Sequence, residues 1–189
     1  MGTSVNVGSP NNNVWRIALS TLGTDVPVER QSALMWHAAA RDRQGRLFHD
    51  LTNDAVAAAF QVAVETRDAS AAARAFDQLV LNYKYSGLYL QWAKRALVRT
   101  ARVSGSRTDF VAELLSEVAS YYISRDLPSF VGARSRIETM SQALELKDRF
   151  LNIARSTARR VVQTIPSRVP WGLVVERTLE ELQRTPGRQ

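Results

Sequence analysis

Residues 83–105, YKYSGLYLQWAKRALVRTARVSG, set Tyr83, Tyr85, Tyr89 and Trp92 ahead of Lys94, Arg95, Arg99 and Arg102, with no acid among them. Residues of these types suit a polyanion in two ways. Guanidinium groups fork onto phosphate oxygens, and aromatic rings stack on unpaired bases at about 1–3 kcal/mol per stack. The acid-free interval runs from Asp77 to Asp109 and also takes in Lys84 and Arg107. A second one, from Arg149 to Val175, holds Arg155, Arg159, Arg160 and Arg168. Solvated helices usually mix signs at i, i+4, because each such pair stabilises a helix by about 0.2–0.5 kcal/mol and like charges cost as much. Both stretches forgo that gain, whereas 138–149 and the last helical segment do mix signs.

At 100° per residue, Leu90, Leu97 and Ala101 point one way, and Tyr85, Tyr89 and Trp92 lie within roughly 60° of one another on the other side. Arg95, Arg99 and Arg102 extend the edge of that aromatic strip, and Arg155 and Arg159 share a face of a later helix. The candidate nucleic-acid ligands are therefore Lys84, Arg95, Arg99, Arg102 and Arg107, with Arg155, Arg159 and Arg160 as a second surface. Tyr85, Tyr89 and Trp92 are the candidates to stack on bases. A plainer reading packs those aromatics in a helical core and lets the arginines snorkel from its rim. The net charge is +7 with only three lysines, Lys84, Lys94 and Lys147, so almost all positive charge is guanidinium. A GC-rich genome would give the same arginine bias without any function, which leaves charge placement to decide.

Other chemistry finds no foothold. His37 and His49 straddle the RDRQGR break instead of sitting at i, i+4, so neither is read as a metal ligand. No phosphate-cradling loop, nucleophile elbow or dinucleotide fingerprint is present, and without cysteine there are no disulfides or thiolate sites. The acid pairs Glu113/Glu117 and Glu176/Glu180 read as solvated helix faces. The chain is accordingly expected to be non-enzymatic, with no catalytic residue, no metal and no cofactor.

The elements that must position these residues are nearly all helical. Of 189 residues, 45% are hydrophobic, enough for a real core, and the sparse glycines and prolines punctuate long alanine- and leucine-rich runs. The breaks predict an all-α bundle of about six or seven helices with no sheet. A short first helix follows Asn13, carrying Trp15, Leu19 and Leu22. A second starts near Pro27 and runs toward Gly45. A third, capped by Thr52 or Asn53, ends before Asp68. From Asp68 an apolar line through Phe76, Leu79, Tyr83, Leu90, Leu97 and Ala101 predicts one long helix or two joined at Gly87. Ser106 and Asp109 stand at capping-box spacing before a helix burying Val111, Leu114, Leu115, Val118 and Tyr122. Another line takes in Ile137, Met140, Leu144, Leu151, Ala154, Ala158, Val161 and Ile165. Pro166 and Pro170 separate it from a last helix with Trp171, Val175, Leu179 and Leu182. Residues 1–13 read as a flexible polar arm, 14–184 as a single helical-bundle domain whose two lobes, if divided, would meet near 104–108, and 185–189 as a tail.

An arginine-rich, cysteine-free, all-helical chain with KRALVRTAR and ARSTARR as basic ridges resembles the small helical subunits of CRISPR effector complexes. That resemblance implies several copies lining the phosphate backbone of a guide RNA or of a displaced or target strand, beside other subunits of a ribonucleoprotein, with little base readout. Helical coat proteins of filamentous RNA viruses are similar in the same respects. The expected partner is single-stranded nucleic acid in the cytoplasm, with no membrane role. The alternative is a helical protein–protein interaction module whose basic faces meet acidic partners.

Overall fold

The computed structural model describes residues 20–21, 24–40, 61, 67–83, 88–103, 106–126, 131–132 and 137–184. Within them lie six helices and no strand: α1 Val28–Ala40, α2 Ala69–Tyr83, α3 Leu88–Val103, α4 Arg107–Asp126, α5 Met140–Thr164 and α6 Trp171–Gln183. A lone bridge pairs Val131 with Ile137. The protein is an all-α bundle, as its periodicity predicts. The helices expected after Asn13 and after Thr52, the arm 1–13 and the tail 185–189 fall largely or wholly outside the described residues.

Local sequence accounts for the helix starts. Asp68 Oδ1 accepts from the Ser70 and Ala71 amides at 2.8 and 3.3 Å, satisfying donors that an α-helix leaves open in its first turn. Ser106 Oγ accepts from the Asp109 amide at 3.1 Å and donates to Asp109 Oδ2 at 2.8 Å, so the expected cap forms. At α5, Thr139 and Gln142 complete a reciprocal capping box. The long apolar line from Asp68 resolves into two helices, α2 and α3, on either side of residues 84–87.

Cross-helix pairs fix the directions. Arg95 meets Glu117 and Arg99 meets Glu113, while Arg155 meets Glu113 and Arg159 meets Asp109, so α4 runs antiparallel to both α3 and α5; Lys94–Asp77 joins α3 to α2 and Arg160–Glu181 joins α5 to α6. The last helix, α6, packs on α5 and on α1, which also touches α5. One core draws side chains from all six helices. Its centre is α4, buried on almost every side between α3 and α5: Phe110, Val111, Leu114, Leu115 and Val118 are closed to solvent.

Two stretches depart from the sequence reading. Met140 and Leu144, expected in the core line of α5, are each 51% exposed, and Ala143 and Phe150 are buried instead. Antiparallel pairing explains this: α4 ends at Asp126 and does not reach Met140 and Leu144, while the first turns of α5 turn another face, with Gln142, Glu145 and Leu146, toward Val28 and Gln31 of α1. The buried face of α3 is also wider than expected. Trp92, Ala96 and Thr100 form one buried line and Ala93, Leu97 and Ala101 a second, since α3 packs on both α2 and α4.

Candidate nucleic-acid interface

The two basic ridges meet at one end of the bundle. There the C-terminal half of α3, the N-terminal half of α4 and the C-terminal half of α5 enclose a groove of about 320 Å³. Arg99 and Arg102 line the α3 wall, Arg155 and Arg159 the α5 wall, and Asp109 and Glu113 of α4 form the floor. Four guanidinium groups against two carboxylates leave the groove at +2. Residues about 55 positions apart in sequence thus form one site.

The floor is what the sequence reading missed. Asp109, Glu113 and Glu117 stand at i, i+4, i+8 on α4, and the last two do not form a solvated face: Glu117 is only 7% exposed. Arg99 Nη1 lies 2.7 Å from Glu117 Oε1 and 3.4 Å from Glu113 Oε2. Arg155 Nε lies 3.3 Å from Glu113 Oε1, an ion-pair distance at which the N–H is not aimed well enough to count as a hydrogen bond. Arg159 Nε donates to Asp109 Oδ1 at 3.2 Å, and Arg95 Nη1 stands 3.6 Å from Glu117. The intervals that lack acids along the chain are thus supplied with them across space. The four-residue spacing shared by the acids of α4 and by the arginine pairs 95/99 and 155/159 was the available signal.

The expected ligands divide accordingly. Arg99, Arg102, Arg155 and Arg159 come together, and Arg95 sits one turn away along α3. Arg160 does not join them: it faces α6, donating to Glu181 Oε1 at 2.9 Å, in a separate groove with Arg177 and Arg184. Arg107, expected on phosphate, instead turns its fork onto the α5–α6 connection. Its Nη1 donates to the Pro166 and Ser167 carbonyls at 3.3 and 3.0 Å, and its Nη2 to the Val169 carbonyl at 2.8 Å. Burial lowers the Arg107 pKa from its ordinary value by desolvation, though a guanidinium starts high enough to stay charged at neutral pH. Trp92 is 3% exposed, its ring 4.9 Å from that of Tyr121, so for this residue the core reading replaces base stacking. Lys84, Tyr85 and the side chain of Tyr89 lie outside the described residues.

No protein-family model, curated protein or solved structure matches this chain.

Among the described residues no cluster of His, Cys, Asp or Glu could hold a metal ion, and no helix is long and apolar enough to cross a membrane. His37 is half-buried in α1, and His49 lies outside the described residues. The pairing on α4 does not use up the arginines. A guanidinium has five donors, and Arg99, Arg155 and Arg159 each turn a single nitrogen to the floor. Among the described residues Arg102 makes no ion pair.

The clamp at Arg107 yields a first prediction. Arg107→Lys keeps the charge but cannot fork onto three carbonyls, and should cost about 1–3 kcal/mol of stability. For a protein of this size that lowers Tm by roughly 2–12 °C in a thermal melt. An unchanged Tm would return Arg107 to the pool of free cations.

Proposed function

We propose that this chain is a non-catalytic protein that holds the phosphate backbone of single-stranded nucleic acid in the α3–α4–α5 groove. The observation that carries the reading is the convergence of Arg99, Arg102, Arg155 and Arg159, from two helices far apart in sequence, on one groove of net positive charge. Guanidinium forks match phosphate oxygens, and contacts of this kind position a strand without reading its bases. Such a surface suits repeated copies along a strand, and with it the place suggested by the sequence resemblance: a small helical subunit of an RNA-guided CRISPR effector ribonucleoprotein, bound to guide RNA or to a displaced or target strand, or else a nucleocapsid-like coat. A second reading, a helical interaction module, draws support from the exposed Met140 and Leu144 on α5.

Salt separates the two. Binding of a fluorescent 30-nucleotide RNA through four phosphate contacts should follow a log–log slope near −2.8, taking about −0.7 per contact on single strands. Affinity then falls roughly 50-fold between about 50 and about 200 mM salt. Protein purified at low salt should carry excess 260 nm absorbance that high salt removes. A clean spectrum with no RNA binding, together with a stable protein complex, would sink the first reading in favour of the second.

A further inference from the structure

The carboxylates under the arginines could compete with phosphate, or they could prepare the arginines for it. From the way each guanidinium is held we infer that Glu113 and Asp109 are positioning residues: together with Glu117, the nearer partner of Arg99 at 2.7 Å, they orient the forks of Arg99, Arg155 and Arg159 so that the groove favours phosphodiester oxygens over other anions. The inference rests on the phosphate reading above.

Three observations carry it. Glu113 stands between the walls, with Arg99 Nη1 3.4 Å from one of its oxygens and Arg155 Nε 3.3 Å from the other. Asp109 holds Arg159 through Nε at 3.2 Å. In Arg155 and Arg159 the nitrogen turned to the floor is therefore the inner one, and among the described residues both terminal nitrogens of each remain unpaired. A carboxylate that competed fully would take a guanidinium side-on through two nitrogens, the fork-to-fork geometry that satisfies both partners. Here Arg159 is hydrogen-bonded and Arg155 ion-paired through the inner nitrogen alone, and each keeps its other donors for a ligand. A long side chain fixed in this way has less rotamer freedom left to lose when it meets its anion. Tetrahedral phosphate oxygens can use several fixed donors at once, whereas a string of flexible carboxylates gains mainly from summed charge.

The consequence runs against simple charge counting. Glu113→Gln raises the net charge of the groove by one unit, yet it should weaken phosphodiester binding. The probes are a 12-nucleotide oligouridylate and a polyglutamate of equal charge, titrated at fixed salt into the full chain, with a thermal melt of each variant to check folding. The expected result is a loss of about tenfold for the oligouridylate, the low end of what removing an outer partner costs at metal sites, with polyglutamate binding unchanged or stronger. Glu113→Asp, which keeps the charge on a shorter arm, should recover part of the loss. Tighter or unchanged oligouridylate binding by Glu113→Gln overturns the inference and makes Glu113 a competitor or a bystander, while the groove itself stands. Equal losses for both probes also overturn it, since selectivity is then not set here. No oligouridylate binding by the unaltered protein removes the phosphate reading first. Asp109→Asn, which leaves Arg99 and Arg155 untouched but also alters the Ser106 cap of α4, provides a second variant, checked by the same melt, should Glu113→Gln fail to fold.

Discussion

Replacing Arg102 and Arg159 together by glutamate is expected to weaken single-stranded RNA binding by about 10²-fold at about 0.1 M salt and to flatten the log–log salt slope by roughly 1.4. The two residues are chosen because they stand on opposite walls of one groove and are the least costly to alter. Arg102 has no ion pair among the described residues, and Arg159 holds only the partly exposed Asp109. Losing two phosphate contacts accounts for about 25-fold by counterion release at that salt, and reversed charge on both walls supplies the remainder. Arg99 would be a poor choice for the same test. It is paired with the buried Glu117, and stranding a buried carboxylate costs about 3–5 kcal/mol, so lost binding could not be told from lost fold. If the double variant keeps its fold, its affinity and its salt slope, the groove is not the binding surface.

The second large effect concerns stability. Phe110→Ala should destabilise the chain by about 3–5 kcal/mol, a large share of the roughly 5–15 kcal/mol that holds a typical domain together. Phe110 is 0% exposed in the first turns of α4, and its ring lies 5.4 Å from that of Trp171 at the start of α6. Truncation would open a void where α4, the α5–α6 connection and α6 meet, beside the carbonyls that Arg107 clamps. Urea unfolding followed by far-UV circular dichroism should show a lower midpoint with an unchanged slope. A cost below about 1 kcal/mol would mean that α4 is not the central helix described here.

What sequence could reveal followed the range of the interactions involved. The helices from α4 onward were legible because their stops and caps are local: Ser106 with Asp109, and Pro166 with Pro170, act within a few residues of themselves. The core of α4 was legible because its apolar spacing repeats along a single helix. The cluster Arg99, Arg102, Arg155 and Arg159 was half legible. Each wall appears as a basic ridge, but only the antiparallel order of α3, α4 and α5 brings the two together. The acid row on α4 was misjudged because Glu113 and Glu117 one turn apart look like any solvated face, and their partners come from other helices. Met140 and Leu144 were misplaced for a related reason: periodicity gives a helix its stripe but not the point where the neighbouring helix ends. Trp92 could be assigned to the core only once Tyr121 was seen against it.

The acid row also sets a direction. Positions four apart on an α-helix advance about 6 Å and turn through about 40°, so Asp109, Glu113 and Glu117 wind across the top of α4. The first reaches Arg159 on α5, the second reaches both walls, and the third reaches, among the described residues, Arg95 and Arg99 on α3. The guanidinium groups they hold therefore trace a diagonal that enters over α5 and leaves over α3. A linear polyanion meeting all of them crosses the three helices obliquely instead of lying along any one. Its footprint in a protection experiment would be a few residues from each helix and a continuous stretch of none.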